Sequence, residues 1–212
     1  ARRVAWGKTL NAGQTCIAPD YILIHEDVKE AFIKEFATQV KKLHGKEIKE
    51  SQHFVRLVTD KAFERVKSYL QDGDIVYGGR TDSNTRFIEP TLLDNVKPDA
   101  PVMTDEIFGP IFPMITISPQ NGSFKDQVAE FITNREKPLA FYYFGSESDG
   151  WELIHRTSSG GGCINDTIMH IANGNVPFGG VGNSGMGRYH GKLSFDAFTH
   201  ERSIIKAPTW ID

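Results

Sequence analysis

Residues 21–45, YILIHEDVKEAFIKEFATQVKKLHG, carry two hydrophobic periods in succession. Tyr21, Ile22, Leu23 and Ile24 form a short apolar run of β-formers, the pattern of a buried strand. Asp27 then opens a helix, with Glu30 three residues on in a capping-box arrangement. Val28, Phe32, Phe36, Val40 and Leu43 recur every three or four residues, which makes one apolar face, and Gly45 supplies the stop. A strand feeding an amphipathic helix is the opening of a βαβ unit.

The same alternation continues along the chain. A second amphipathic helix is predicted from about Thr59 to Leu70, with Phe63 and Val66 inward and Gly73 behind it. Strands are predicted at 74–77 and 87–93, flanking the Gly78-Gly79 turn, and at 111–117, where Pro113 points to a bulge or an edge position. A helix over 124–134 turns Val128, Phe131 and Ile132 inward. A strand at 140–144, a helix at 149–156 and a strand opening at Cys163 follow. Strands alternating with helices imply crossovers and a mostly parallel sheet, so the expected fold is α/β with three layers, αβα. Residues 203–206 could form a strand that leaves the domain and pairs elsewhere. Residues 1–6, ARRVAW, read as helix already in progress, without initiator Met or signal core, so a chain cut from a longer protein is expected.

Composition narrows the classes of function. The 212 residues hold 24 Lys and Arg against 27 Asp and Glu, a net charge of −3, which gives no electrostatic reason for a nucleic-acid or membrane-surface partner. A hydrophobic fraction of 39% with 24% charged residues is that of a globular chain, and no apolar run reaches the roughly 18 residues of a membrane span. Two cysteines, Cys16 and Cys163, make neither a disulfide framework nor a four-ligand zinc site, and the seven histidines lack metal-ligand spacing. No metal is expected, and a reducing, cytoplasmic setting is the default.

Four segments could carry chemistry. In Gly13-Gln14-Thr15-Cys16 the cysteine stands where a helix ends and the chain turns toward a strand, a place for an exposed nucleophilic thiolate; the alternative is a small buried hydrophobe. Glu106-Ile107-Phe108-Gly109-Pro110 sets a carboxylate and an aromatic ring two apart, on one side of an extended chain, suited to a ribose hydroxyl and a flat ring; a surface Glu and a core Phe is the plainer reading. Residues 180–185, GVGNSG, match G-x-G-x-x-G, yet no helix-forming run follows, so the dinucleotide cue fails its own test and the segment is a glycine-shaped loop. His190 is a pocket wall or a hydrogen-bonded structural histidine, Trp6 packs its helix or walls a substrate, and Arg2 and Arg3 are most simply a solvated face.

Taken together, GQTC, EIFGP and PFGGVGNSGMG, in that order, resemble the catalytic half of the aldehyde dehydrogenase superfamily. The tail YHGKLSF followed by FTHERS is similar to the class 3 and fatty-aldehyde branch, as is QTCIAPDY at 14–21. The resemblance runs from Ala1 to about Lys206. It implies a catalytic domain over residues 1–200 and a C-terminal extension over 201–212 that could serve as an oligomerisation strand. It also implies that Cys16 attacks an aldehyde to give a thiohemiacetal and then a thioester. Glu106 would bind the nicotinamide-side ribose of NAD or NADP, and Phe108 would flank the nicotinamide. Trp6, Ile168, Ile171, Phe178 and His190 would line the aldehyde tunnel, an apolar wall for medium-to-long aliphatic or aromatic aldehydes.

The family places its dinucleotide-binding domain, its oxyanion Asn and its general-base Glu ahead of the cysteine, and none of them is in these residues. The expectation is therefore a domain inactive by itself, belonging to a homodimeric NAD(P)-dependent parent. Two other readings make different forecasts. A non-enzymatic assembly scaffold requires no unusual thiol, and a cofactor-independent thiol esterase requires ester turnover without NAD.

Overall fold

A computed structural model describes residues 1–210. Helix α1 (Arg2–Thr9) opens the chain and runs into a tight turn over residues 10–13. Strand β1 (Ile22–His25) passes directly into α2 (Glu26–His44), the longest helix, and α3 (Asp60–Ser68) follows. Next come β2 (Asp74–Tyr77), the short hairpin of β3 (Thr81–Asp82) and β4 (Phe87–Ile88), β5 (Thr91–Asp94) and the long β6 (Ile111–Ile117). The remainder is α4 (Phe124–Thr133), β7 (Ala140–Tyr143), α5 (Glu147–Arg156), β8 (Gly161–Ile164) and a short α6 (Lys192–Ala197).

The main sheet has the order β1-β6-β5-β2. β6 runs parallel to β1 (Ile22 opposite Met114) and to β5 (Thr91 opposite Ile111), while β2 is antiparallel to β5. β7 and β8 form a separate parallel pair in which Tyr142 lies opposite Cys163. The three expected layers are visible in the alternation along β6. Phe112 and Met114 pack with Ile24, Leu92, Val4, Phe36 and Val40 beneath α1 and α2. Ile111 turns to the other face, against Phe63 and Val66 of α3, and Ile115 and Ile117 meet Val128, Ile132 and Leu153 of α4 and α5. Period-two alternation thus supplies both faces of a doubly covered sheet.

Four expectations change. Pro113 is neither at an edge nor at a bulge but inside the central strand. It is tolerated there because pairing with β5 ends at Pro113 and pairing with β1 begins at Met114. The strand expected over 87–93 is two strands, broken at Glu89-Pro90, where the chain leaves the hairpin for the main sheet. The cap of α2 is His25, whose Nδ1 accepts the Asp27 N–H, and the helix begins at Glu26 ahead of the expected Asp27. Arg3 forms an ion pair with Asp166 across the fold and is more than a solvated surface group. Residues 203–206 adopt no helix or strand, and Ile204 and Ile205 are exposed.

Candidate active site

Cys16 is a free thiol at an exposed position. The turn that presents it is built from three successive left-handed residues, Asn11, Ala12 and Gly13, at φ 50°, 53° and 73°. Such a run is unfavourable for residues bearing a Cβ, so other contacts must hold it. Gln14 does so: its Nε2 donates to the carbonyls of Asn11 and Arg56, both at 3.1 Å, and its Oε1 accepts the Val58 N–H at 3.1 Å. Asn11 returns a bond from Nδ2 to the Gln14 carbonyl at 2.9 Å. One residue beyond the cysteine, Ile17 is buried, and its carbonyl accepts the Tyr142 hydroxyl at 2.7 Å. Burial raises that hydroxyl above the ordinary tyrosine range, which keeps it a neutral donor.

The Glu106–Phe108 loop lies against this turn. A Cβ on Gly13 would meet the Gly109 carbonyl group, its carbon at 2.7 Å, so the two loops touch backbone to backbone. Ile107 is fully buried and anchors the loop, while Glu106 and Phe108 on either side are exposed. The Asp20 carboxylate accepts the Ile107 N–H at 3.1 Å, and Arg65 donates to the carbonyls of Glu106 at 3.2 Å and Ile107 at 2.8 Å. Phe108 itself takes a positive φ of 47°. Partial burial and then repulsion from Asp20 push the Glu106 carboxyl up, and Lys8 and Arg65 oppose that rise. An exposed carboxylate beside an exposed aromatic face, both held by a buried residue between them, fits a vicinal diol next to a flat ring.

Directly after Cys16 in the chain, Ile17 packs with Ile168 and Phe178, and with Trp6 and Ile171 at the margin of the same apolar cluster. His190 stacks on Phe178, centroids 5.9 Å apart, and its Nδ1 lies 3.1 Å from the Val176 carbonyl. All five residues expected to line a tunnel therefore gather in one cluster, together with Ile17, the residue that follows the cysteine. Ile168 stands at φ 67°, strained for a β-branched side chain. Its neighbour Thr167 is fully buried and donates to the Arg3 carbonyl at 3.0 Å, and a Cβ on Gly7 would come within 2.5 Å of that hydroxyl. The second thiol differs. Cys163 is half-buried on β8, 3.7 Å from His170 Nδ1, with burial pushing the thiol up and the imidazole down, so the pair is neutral. The G-x-G-x-x-G segment contains only a short turn at Gly182–Ser184, with no helix behind it.

A family model described as the aldehyde dehydrogenase family matches residues 1–204. The chain belongs to the aldehyde dehydrogenase family. It is 46% identical to the 4,4'-diaponeurosporen-aldehyde dehydrogenase of Staphylococcus aureus over the whole of this chain and 46% of that protein. It is 43% identical to the dimeric NADP-preferring aldehyde dehydrogenase of Rattus norvegicus over 96% of this chain and 44% of that one. The substrate-bound state of Staphylococcus aureus AldH superposes with a TM-score of 0.92 at 47% identity, covering all of this chain and 46% of the solved one. The chain thus spans just under half the length of these relatives.

Sequence reasoning on this aldehyde dehydrogenase chain missed Lys8, Asp20, Gln14 and Tyr142. A signal existed for Lys8, which follows Val4 by four residues and so falls on the inward side of α1. Tyr142 and Asp20 act through chain-distant partners, which no local pattern announces.

Proposed function

We propose that this chain is the catalytic part of an NAD(P)-dependent enzyme that oxidises medium-to-long aliphatic or aromatic aldehydes to carboxylic acids. One observation carries the reading: the exposed Cys16 lies on a short stretch whose Gly13 abuts Gly109 of the Glu106–Phe108 loop and whose Ile17 packs in the apolar cluster with Trp6, Ile168, Ile171 and Phe178. A nucleophile, a diol-and-ring platform and an apolar wall are the three parts that hydride removal from a bound aldehyde requires.

The Cys16 thiolate attacks the carbonyl carbon, and the resulting thiohemiacetal oxyanion is met by the Cys16 backbone N–H. Glu106 and Phe108 would hold NAD(P), whose nicotinamide would supply the hydride acceptor. The thioester left on Cys16 is then opened by water, and the acid departs. Glu106 holds the ribose and Phe108 limits the swing of the ring beside it. The cluster excludes water along the aldehyde tail, where each buried methylene contributes about 0.8 kcal/mol. His190 fixes the orientation of the Phe178 ring by stacking on it.

The intact protein works as a homodimer in a reducing, cytoplasmic setting, and residues 1–212 alone form no NADH. Steady-state assay of the intact enzyme against a series from propanal to decanal tests the reading. kcat/KM should rise with chain length, and Cys16→Ala should abolish acid formation. Equal activity on all lengths overturns the tunnel assignment, and turnover by Cys16→Ala removes the nucleophile.

A further inference from the structure

Residues 15–18 form a tight turn with Cys16 and Ile17 at its centre, closed by the Ala18 N–H, which donates to the Thr15 carbonyl at 2.8 Å. The Ile17 carbonyl belongs to the same peptide unit as that N–H, and it accepts the hydroxyl of Tyr142, from the middle of β7, at 2.7 Å. A peptide unit is planar and rigid, so gripping it at both ends fixes its orientation. Ahead of Cys16 the chain is fastened by Asn11 and Gln14. Behind it, the fastenings are this peptide and the buried Ile17 side chain. Tyr142 is itself well seated. It lies opposite Cys163 in the strand pair, and its ring stands edge-on to His170 at 5.8 Å between centroids.

We propose that Tyr142 is a positioning residue for Cys16: its hydrogen bond to the Ile17 carbonyl sets the turn so that the thiol and the Cys16 backbone N–H both face an aldehyde held by the apolar cluster. The proposal rests on the reading of Cys16 as the nucleophile. As the sulfur bonds to the aldehyde carbon, the π pair of the carbonyl moves onto its oxygen, and that oxygen must arrive at the N–H. Sulfur and N–H belong to one residue, so a turn that rotates carries both away from the aldehyde together. A misplacement of about 1 Å costs on the order of 100-fold in rate. Tyr142 acts through the backbone of Ile17 and not on the reacting atoms.

The experiment compares the intact dehydrogenase with Tyr142→Phe, which removes one oxygen and keeps the ring. With hexanal in stopped flow, the first-turnover rate per active site should fall about 10- to 100-fold, while KM for the cofactor stays at the wild-type value. Amide hydrogen exchange of residues 15–18, followed without cofactor, should accelerate. A merely structural role would lower the number of active sites and leave the rate at each of them unchanged. 4-Aminophenylalanine at position 142, which donates from the same place, should restore the rate. Tyr143→Phe is the control: that ring packs with the cluster beneath α4 and α5, and its variant should match wild type. A wild-type first-turnover rate in Tyr142→Phe overturns the proposal, and so does a loss that 4-aminophenylalanine leaves unrepaired.

Cys16→Ala separates the two levels. If it still forms acid, the nucleophile reading and this inference fall together. If it is inert while Tyr142→Phe reacts at the wild-type rate, only the role of Tyr142 falls. Should Tyr142→Phe not fold, 3,5-difluorotyrosine takes its place. Fluorine makes the hydroxyl ionise at lower pH, and a phenolate cannot donate; Cys163, Cys16 and Asp166 are the titratable groups that face it. The first-turnover rate should then decline at lower pH than in wild type, and coincident profiles overturn the assignment.

Discussion

Gly13 and Gly109 touch backbone to backbone, with no room for a side chain between them, and this contact sets the turn before Cys16 against the Glu106–Phe108 loop. The relation has a measurable cost of disruption. Gly13→Ala adds a Cβ at φ 73° and against a carbonyl, so it should destabilise the fold by about 2–4 kcal/mol in urea unfolding. A change under about 0.5 kcal/mol would mean that the loops can separate freely.

The two thiols should behave as opposites. Cys16 is exposed, whereas Cys163 is half-buried with its thiol pushed up by desolvation, so less of it is thiolate at any given pH. Iodoacetamide at pH 7.5, followed by mass spectrometry of the peptides, should modify Cys16 well before Cys163. Raising the pH should narrow the gap. Faster labelling of Cys163 would contradict the geometry.

Lys8, buried in the last turn of α1, offers a stability readout. Its pKa is lowered on folding from 10.5 to about 8, so the unfolded chain binds more protons between those values. Stability contributed by this group therefore rises with pH across that window, and below pH 8 its full cost is carried. The cost is on the order of 3 kcal/mol. Urea denaturation of wild type and Lys8→Met should show a wild-type deficit at pH 7 that closes toward pH 10.5. A constant difference across that range would refute it.

Thr167→Val keeps the shape of a fully buried side chain and removes its bond to the Arg3 carbonyl. A loss of about 1–2 kcal/mol in thermal unfolding is expected, because the carbonyl is left short of a partner. The loop bearing Ile168 at φ 67° should loosen with it, and hydrogen exchange at residues 167–171 should accelerate.

The elements that could be read along the chain were those whose signal is local. The 3.6-residue period of Phe32, Phe36 and Val40 places them as expected, and Thr59 caps its helix where a start was read, while Ser146 caps α5, whose start at Glu147 is two residues ahead of the expected Asp149. Pro113 misled because a proline's missing N–H matters only if a neighbour needs it, and strand pairing changes hands at that residue. The break at Glu89-Pro90 did leave a local signal, because a proline without an N–H stands between the apolar pairs Phe87-Ile88 and Leu92-Leu93. At the site, the motifs pointed to Cys16, Glu106 and Phe108, but not to what holds them. Gln14, Asp20, Arg65 and Tyr142 act on main-chain groups, and main-chain groups leave no trace in the identity of their partners.

The hydroxyl of Tyr142 ties the two-stranded ribbon of β7 and β8 to the residue next to the sulfur. A change in the ribbon made to admit a bulkier guest would therefore tug on the Cys16 sulfur as well. In the reaction proposed for Cys16, substitutions in the ribbon would then alter selectivity and rate together through that single tether.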